Sequence, residues 1–469
     1  FDSYDCFCIP IDYTLITMKR LIIILFAMNL NLWANSPLTF HPQFRSQYYS
    51  SGSIHHFLES GSTTLHLIGL GATKSQGPFS ISGIFNFTTA HNLDVQSTFF
   101  NPNLNIEMKR GYIENDDTWF ESSNLKIDYN QPTFSASFGK YTQSWGHGNS
   151  SLILSNNSPS FPQGGFSWRM SNILKLEYFL GSLSSQMVDS SSNELYDNVG
   201  HRNTYYARSI AGHRFSWTPH PSLTFNAMET VIFGDRSIDV HYLLPFVPFW
   251  SMQHYTGDID NVQMCGELVW QMNNNWTIYG SLFVDEWRPE WTFNKKNRNW
   301  FGYQIGGISH DLIKTNDQFQ IEYTWTDHRI YRHRFPINDA YSFGYSLGFW
   351  AGPHAEELFL TYKFNLKSIN ILSYISSVKR GELTEQMLSD QYDDVKYERY
   401  FGETESRLIA SVIGEKRILK DNFNIKVGVE WLDWENPGFK PTYLTHSGTT
   451  LSKLSFLFGI SAKKDISFD

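Results

Sequence analysis

The run Phe319-Gln320-Ile321-Glu322-Tyr323-Thr324-Trp325-Thr326-Asp327-His328 alternates in chemistry almost residue by residue. In an extended strand successive side chains point to opposite faces. Phe319, Ile321, Tyr323 and Trp325 then share one face, and Gln320, Glu322, Thr324 and Thr326 the other. The same period appears at 423–431, where Phe423, Ile425, Val427, Val429 and Trp431 oppose Asn424, Lys426, Gly428 and Glu430. At 357–365, Leu358, Leu360, Tyr362 and Phe364 oppose Glu357, Thr361 and Lys363, with Phe359 as the exception. Shorter versions recur at Leu125/Ile127/Tyr129, Phe134/Ala136/Phe138, Leu174/Leu176/Tyr178, Val262/Met264/Leu268/Trp270 and Leu454/Phe456/Phe458/Ile460. These segments run about 8 to 14 residues, longer than the ~5–6 usual in globular sheets. Long strands with one apolar and one polar face suit a closed barrel in lipid, apolar face outward and every backbone group paired.

Composition agrees. The 469 residues include 37 Phe, 25 Tyr and 15 Trp, while charged residues make up 18%, against roughly 25% in ordinary soluble domains. Mean hydropathy is nevertheless −0.35, because half of every strand is polar. A net charge of −9 leaves no basic footprint for nucleic acid. Three cysteines do not make a disulfide scaffold. Beyond the amino-terminal segment no apolar run reaches the 18 or so residues of a helical span. No repeat near ~40 residues supports a propeller, and a soluble sandwich would use shorter strands. Aromatics near strand ends (Trp119, Trp145, Trp217, Trp276, Trp287, Trp300 and Trp434) are predicted to form girdles at the two membrane interfaces. The predicted fold is an all-β, transmembrane outer-membrane antiparallel barrel of roughly 16 to 20 strands.

The amino terminus reads as an export signal. Met18 opens it, Lys19 and Arg20 form a positive region, residues 21–28 an apolar one, and Leu32-Trp33-Ala34 a cleavage site. The division expected is 1–17 upstream extension, 18–34 signal peptide, 35–60 a short periplasmic or plug segment, and 61–469 barrel. Within 35–60, His55 to Glu59 could form a short helix. Short polar turns at 272–275 and 420–422 would face the periplasm. Longer stretches at 184–203, 235–260 and 381–405 would face outside, the last carrying a short helix.

Three stretches carry a family resemblance. Residues 139–162 contain Trp145-Gly146-His147-Gly148, then Ser151-Leu152-Ile153-Leu154-Ser155 and Asn157. Residues 241–250 read HYLLPFVPFW, followed by GDIDN at 257–261 and YGSLFVDEW at 279–287. Residues 342–364 hold Leu347-Gly348-Phe349-Trp350-Ala351-Gly352-Pro353, then Ala355, Glu357 and Leu358. Their order resembles the Wzi family of capsule-assembly outer-membrane proteins. That resemblance implies an 18-stranded barrel acting as a surface-polysaccharide lectin, which attaches capsule or exopolysaccharide without making it. The helical bundle that precedes the barrel in that family has no counterpart in 35–60.

Sugar recognition needs flat apolar faces and planar hydrogen-bonding groups. Trp145 and His147, with Asn149, Asn156 and Asn157, offer both, although Trp145 could equally anchor its loop in the lumen. Asp258, Asp260, Asn261, Asp285 and Glu286 could hold sugar hydroxyls, the acids could bind Ca²⁺, which takes oxygen ligands, or they could pair with lumen arginines such as Arg169, Arg208, Arg214 and Arg288. Arg329, Arg332 and Arg334 could meet lipopolysaccharide phosphates or an acidic glycan through bidentate contacts, or form a solvated loop. No metal-ligand spacing or hydrolase motif occurs, so no metal, cofactor or catalytic residue is expected. A protease built from His254, Asp258 and Asp260 is the remaining enzymatic idea, and a porin-like channel the main alternative. Expected partners are surface polysaccharide, outer-membrane lipid and lipopolysaccharide, with the chain working alone or beside a polysaccharide export machine. The expected location is the outer membrane of a Gram-negative-type bacterium.

Overall fold

The computed structural model describes residues 36–50, 61–93, 102–109, 112–114, 116–192, 203–236, 239–287, 299–390, 397–400, 402–419, 422–436 and 450–468. The expected leader, signal peptide and 55–59 helix lie outside these residues. Eighteen antiparallel strands form one closed ring: β1 (Leu38–Tyr49), β2 (Thr63–Gln76), β3 (Phe79–His91), β4 (Asp117–Asn130), β5 (Phe134–Tyr141), β6 (Phe161–Arg169), β7 (Leu174–Val188), β8 (Tyr205–His220) and β9 (Leu223–Gly234), then β10 (Asn261–Gln271), β11 (Trp276–Glu286), β12 (Trp300–His310), β13 (Gln318–Thr326), β14 (Ala355–Leu366), β15 (Ile369–Gly381), β16 (Thr404–Ile418), β17 (Phe423–Glu435) and β18 (Thr450–Lys463).

Sequence neighbours pair around the ring, and β1 closes it against β18, with Gln43 opposite Lys463 and Tyr49 opposite Leu457. A short final strand, Ile466–Phe468, extends that seam, so Phe468 lies opposite Leu38 and edge-on to Phe40 at 5.6 Å. Closure leaves no unpaired edge to hydrocarbon. The expected plug segment at 35–60 is corrected here: its residues 38–49 are the first barrel strand. Pro42 and scattered polar residues blur the alternation of β1, and its place is decided by two distant partners, β2 and β18.

Strand faces follow the sequence pattern. On β13, Ile321 and Tyr323 are exposed outward, while Glu322, Thr324 and Thr326 are buried inward. Of the tryptophans expected in the girdles, Trp119, Trp217 and Trp287 are exposed, as that placement requires. The expectation fails for Trp145, Trp300 and Trp434, which are buried. Parity explains Trp434: Trp431 points to lipid, so a residue three positions on points inward, where its Nε1 donates to Glu405 at 2.7 Å.

Connections alternate in length. Those after even-numbered strands span two to seven residues, and those after odd-numbered strands span 13 to 28. Short turns on one rim and long loops on the other are the periplasmic and external ends of an outer-membrane barrel. The turn 272–275 and the loop limits at 235–260 fall where the sequence placed them, whereas β7 runs on to Val188, past the expected loop start. The helix foreseen within 381–405 is Glu385–Ser389, capped by Thr384, whose hydroxyl accepts from the Met387 N–H at 3.1 Å.

Candidate functional site

Two of the long loops turn into the lumen and pack on each other. In the first, 142–160, the Trp145 N–H donates to the Leu154 carbonyl at 3.0 Å. Gly146 between them has φ +121°, and a Cβ there would sit 2.6 Å from the Ser151 hydroxyl, so this turn requires glycine. Lumen-facing side chains then catch the loop. The His147 N–H and ring Nδ1 donate to Glu267 at 2.8 and 3.1 Å. The Asn149 N–H donates to Glu322 at 2.8 Å, and the Gln304 amide donates to the Ser150 carbonyl at 2.9 Å.

The second loop, 327–354, meets the first through main-chain groups. Tyr331 OH donates to the Leu152 carbonyl at 2.7 Å, the Trp350 N–H to Ser150 Oγ at 2.9 Å, and the Ser155 N–H to the Leu347 carbonyl at 2.8 Å. Leu152, Ile153, Leu154, Ile330, Tyr331, Leu347 and Phe349 form one apolar core with inward residues of the wall such as Phe179, Ile210 and Phe283. Burying this much apolar surface inside a water-facing lumen makes the plug a core of its own. Arg208 of β8 fastens the second loop, donating to the carbonyls of Pro336, Ile337 and Tyr341.

The structure sorts the sequence candidates into three groups. Trp145 is 1% exposed and edge-on to Phe179 at 5.2 Å. Its ring therefore anchors the plug and presents no face to a sugar. His147 and Asn149 are exposed in part but fixed to Glu267 and Glu322, and Asn156 is exposed. The basic loop is largely neutralised: Arg329 pairs with Asp327 at 2.9 Å and Arg332 with Asp339 at 3.1 Å, leaving Arg334 as its exposed guanidinium.

The acidic set converges. Asp258, Asp260, Asn261, Asp285 and Glu286 line one cavity of about 420 Å³ at the long-loop rim, together with Arg334 and His333. Asp260 and Asp285 have partners other than Arg208 and Arg214. Asp260 takes Arg236 and the Tyr242 hydroxyl, Asp285 accepts the Tyr331 N–H and the Gln263 amide, and Arg214 pairs with Glu177. Arg288 lies outside the described residues. Trp250 and Trp287, both about half exposed (53% and 52%), flank the cavity, and Trp300 lies at its base. Trp250 carries no sequence signal of its own beyond ending the stretch HYLLPFVPFW. His254 is 4.0 Å from Asp258, beyond hydrogen-bonding distance. Among the described residues no cluster suited to a metal ion occurs.

The second plug loop is also a pH-sensitive element. Burial, reinforced by Arg334, pushes the His333 ring down to about 4, and burial pushes His354 down to about 4. Burial likewise lowers His328. Each histidine is neutral in the fold and must charge in acid, so its contribution is present above the ordinary pKa near ~6.5 and is lost as pH falls below it, for His333 and His354 toward about 4. Burial pushes the Asp339 carboxyl the other way, up to about 6 despite Arg332, which favours the fold as pH falls through that value. Burial opposes ionisation of Asp327, but Arg329 holds its carboxyl below the usual range, so it too loses its contribution in acid, and three histidines with Asp327 outweigh Asp339. Protease cleavage within 327–354 is expected to accelerate several-fold between pH 7 and pH 4.5 while the strands stay resistant. Equal rates at the two pH values would refute this.

No family profile and no curated protein matches this sequence. Among solved structures, the chain is similar to Wzi of Escherichia coli, an outer-membrane protein involved in group 1 capsule assembly and a carbohydrate-binding β-barrel. Identity is 12%, 94% of this chain and 87% of that chain are covered, and the TM-score is 0.55. It is also similar to OccAB2 of Acinetobacter baumannii, at 9% identity over 93% and 99% of the two chains with a TM-score of 0.49. OpdQ of Pseudomonas aeruginosa is similar at 8% identity over 93% and 100%, with a TM-score of 0.48. Identities this low speak for the fold alone. The chain has the closed eighteen-strand barrel of Gram-negative outer-membrane proteins, and its relationship to Wzi is a distant one at the level of that fold.

Proposed function

We propose that this barrel is a non-catalytic, surface-polysaccharide-binding protein that helps attach capsule or exopolysaccharide to the outer face of the outer membrane. The observation that carries the reading is the plug: two loops joined through one core enter the lumen beside a rim cavity lined by two half-exposed indoles and four carboxyl groups. The stretches that resemble the Wzi family are the ones that build these parts. Residues 139–162 and 342–364 supply the plug, and 241–261 with 279–287 supply the cavity. The E. coli barrel of like fold carries the description of a carbohydrate-binding protein.

The cavity's charge favours a sugar without acid groups. Four carboxylates face Arg334, and the neighbouring guanidiniums of Arg236, Arg329 and Arg332 already hold Asp260, Asp327 and Asp339. An uncharged hexose can stack on Trp250 or Trp287 and donate hydroxyls to Asp258 or Glu286, whereas a uronate would meet like charge. Lipopolysaccharide and outer-membrane lipid are the surroundings in which the rim works.

A diffusion channel is the second reading, and one observation favours it. Among the described residues the plug core rests on β6 to β15, with no member from β1–β4 or β16–β18. Planar bilayers separate the two. The polysaccharide-binding reading expects no steady open state, together with binding of neutral oligosaccharides to the purified barrel that weakens at least tenfold in Trp250→Ala. Steady ohmic conductance with no binding of any glycan would leave the channel reading standing.

A further inference from the structure

Within the connection from β9 to β10, residues 239–253 fold back along the outside of the barrel. Tyr242 and Phe249 bury against Ala211, Val231, Phe233 and Val262. Val231 and Phe233 alternate with Ile232, which packs into the lumen core, so the surface they offer is the outward one. Tyr178 OH donates to the Tyr242 carbonyl at 2.9 Å. Phe246 reaches Phe215 at 6.4 Å and Trp168 at 6.3 Å, and Trp168 is the next-to-last residue of β6 on its short-turn side. The segment therefore descends the wall that faces lipid.

Its chemistry fits that place. Val240, Leu243, Leu244, Phe246 and Trp250 are exposed on its outer side. Irregular backbone at membrane depth is tolerated only where protein buries it or it lines a water-filled cavity, so the side of the strap against the wall must cover its polar groups. Pro245 and Pro248 carry no N–H at all. The Val247 N–H donates to the Leu244 carbonyl at 3.2 Å, and the Ser251 and Met252 N–H groups to the Pro248 carbonyl at 3.1 and 3.2 Å. The Phe249 and Trp250 N–H groups both donate to the Glu229 carboxylate at 2.7 Å. Glu229 is itself an outward-facing residue of β9 and also accepts from His213 Nε2 at 2.9 Å, with the His213 ring stacked on Phe249 at 4.3 Å. An ionisable pair on the lipid face is costly when bare. Here the strap covers the pair, and the pair satisfies the strap.

We propose that residues 240–253 form a strap embedded in the bilayer, latched by Glu229, with Leu243, Leu244 and Phe246 against lipid acyl chains. The lipid is the partner because the exposed apolar side of the strap is continuous with the outward apolar belt of β6, β8 and β9. Trp250 and Gln253 belong to both strap and rim cavity. On the polysaccharide-binding reading, the strap therefore holds the bound sugar at headgroup level and not out in solvent.

The test places a spin label at Phe246→Cys in a Cys265→Ala background, in the full-length barrel reconstituted in liposomes, with Asn156→Cys as a solvent-exposed control. Relaxation by oxygen, which partitions into lipid, is expected to exceed relaxation by a water-soluble nickel chelate several-fold at position 246 and to fall below it at 156. A nickel-dominated signal at 246 would overturn the strap. A label screened from both reagents would mean that a protein face covers it, and would overturn the lipid assignment. Glu229→Leu is expected to release the strap and raise nickel access at 246 at least threefold. If Glu229→Leu fails to insert, Glu229→Gln serves, keeping one acceptor oxygen, and unchanged access in the folded variant would refute the latch. None of these readouts depends on a glycan, so their failure is distinct from failure of the polysaccharide-binding reading.

Discussion

Gly348→Val is expected to unseat the plug and convert a barrel without a steady open state into one with measurable conductance. The glycine sits where the second plug loop passes over the first. A Cβ built on it would lie 2.1 Å from the Leu152 carbonyl oxygen and 2.9 Å from its carbon. Both are backbone atoms, so no side-chain rotation relieves the clash. Overpacking of this kind costs about 1–3 kcal/mol even where side chains can shift, and here the relief available is separation of the two loops. Separation would break the hydrogen bonds from Tyr331 to Leu152, from Trp350 to Ser150 and from Ser155 to Leu347. Single-channel recording in planar bilayers reads the result directly, and gel mobility with and without heating confirms that the strands remain folded. A folded Gly348→Val barrel with wild-type conductance would mean that the plug does not control the lumen.

Arg208→Ala is expected to free the same loop from its outer end, without touching the junction between the loops. The guanidinium is buried and donates to three carbonyls, those of Pro336, Ile337 and Tyr341. A buried acceptor left without a donor costs about 1–3 kcal/mol; Tyr341 is buried, Ile337 partly so and Pro336 exposed, so about 3 kcal/mol of local stability should disappear. Local opening at that scale raises cleavage of the exposed loop by two or more orders of magnitude when opening is fast relative to cleavage. Limited proteolysis with mapping of the cut sites is the measurement. Arg208→Lys should recover only part of the protection, because an ammonium cannot span three acceptors with the fixed fork of a guanidinium. Cleavage of Arg208→Ala at the wild-type rate would show that the loop is held elsewhere.

The barrel was legible in the sequence because its cause is local. Side-chain alternation is a property of a strand by itself, and lipid on one side with water on the other makes the alternation visible in 319–328, 357–365 and 423–431. Even the inward turn of Trp434 is a matter of counting from Trp431. The first strand escaped because β1 alternates weakly and exists as a strand through β2 and β18, the second of which comes from the far end of the chain.

The acidic residues Asp258, Asp260, Asp285 and Glu286 stand out as a set in the sequence, and the fold brings them to one cavity. Their partners could not be read, because choosing Arg236 over Arg208 or Arg214 depends on which faces the strands present. Arg329 and Arg332 read as a basic surface in the sequence, whereas the fold sets Asp327 and Asp339 against them.

Sequence alone thus determined the class of fold, the lipid-facing and lumen-facing sides of its strands and, among the long loops, the limits of 235–260, since period and turn chemistry act over a few residues. Only the tertiary structure decided that two of those loops enter the lumen while a third lies along the outer wall. A loop's direction is set by distant groups that satisfy its backbone, here Glu267, Glu322 and Arg208 within and Glu229 without.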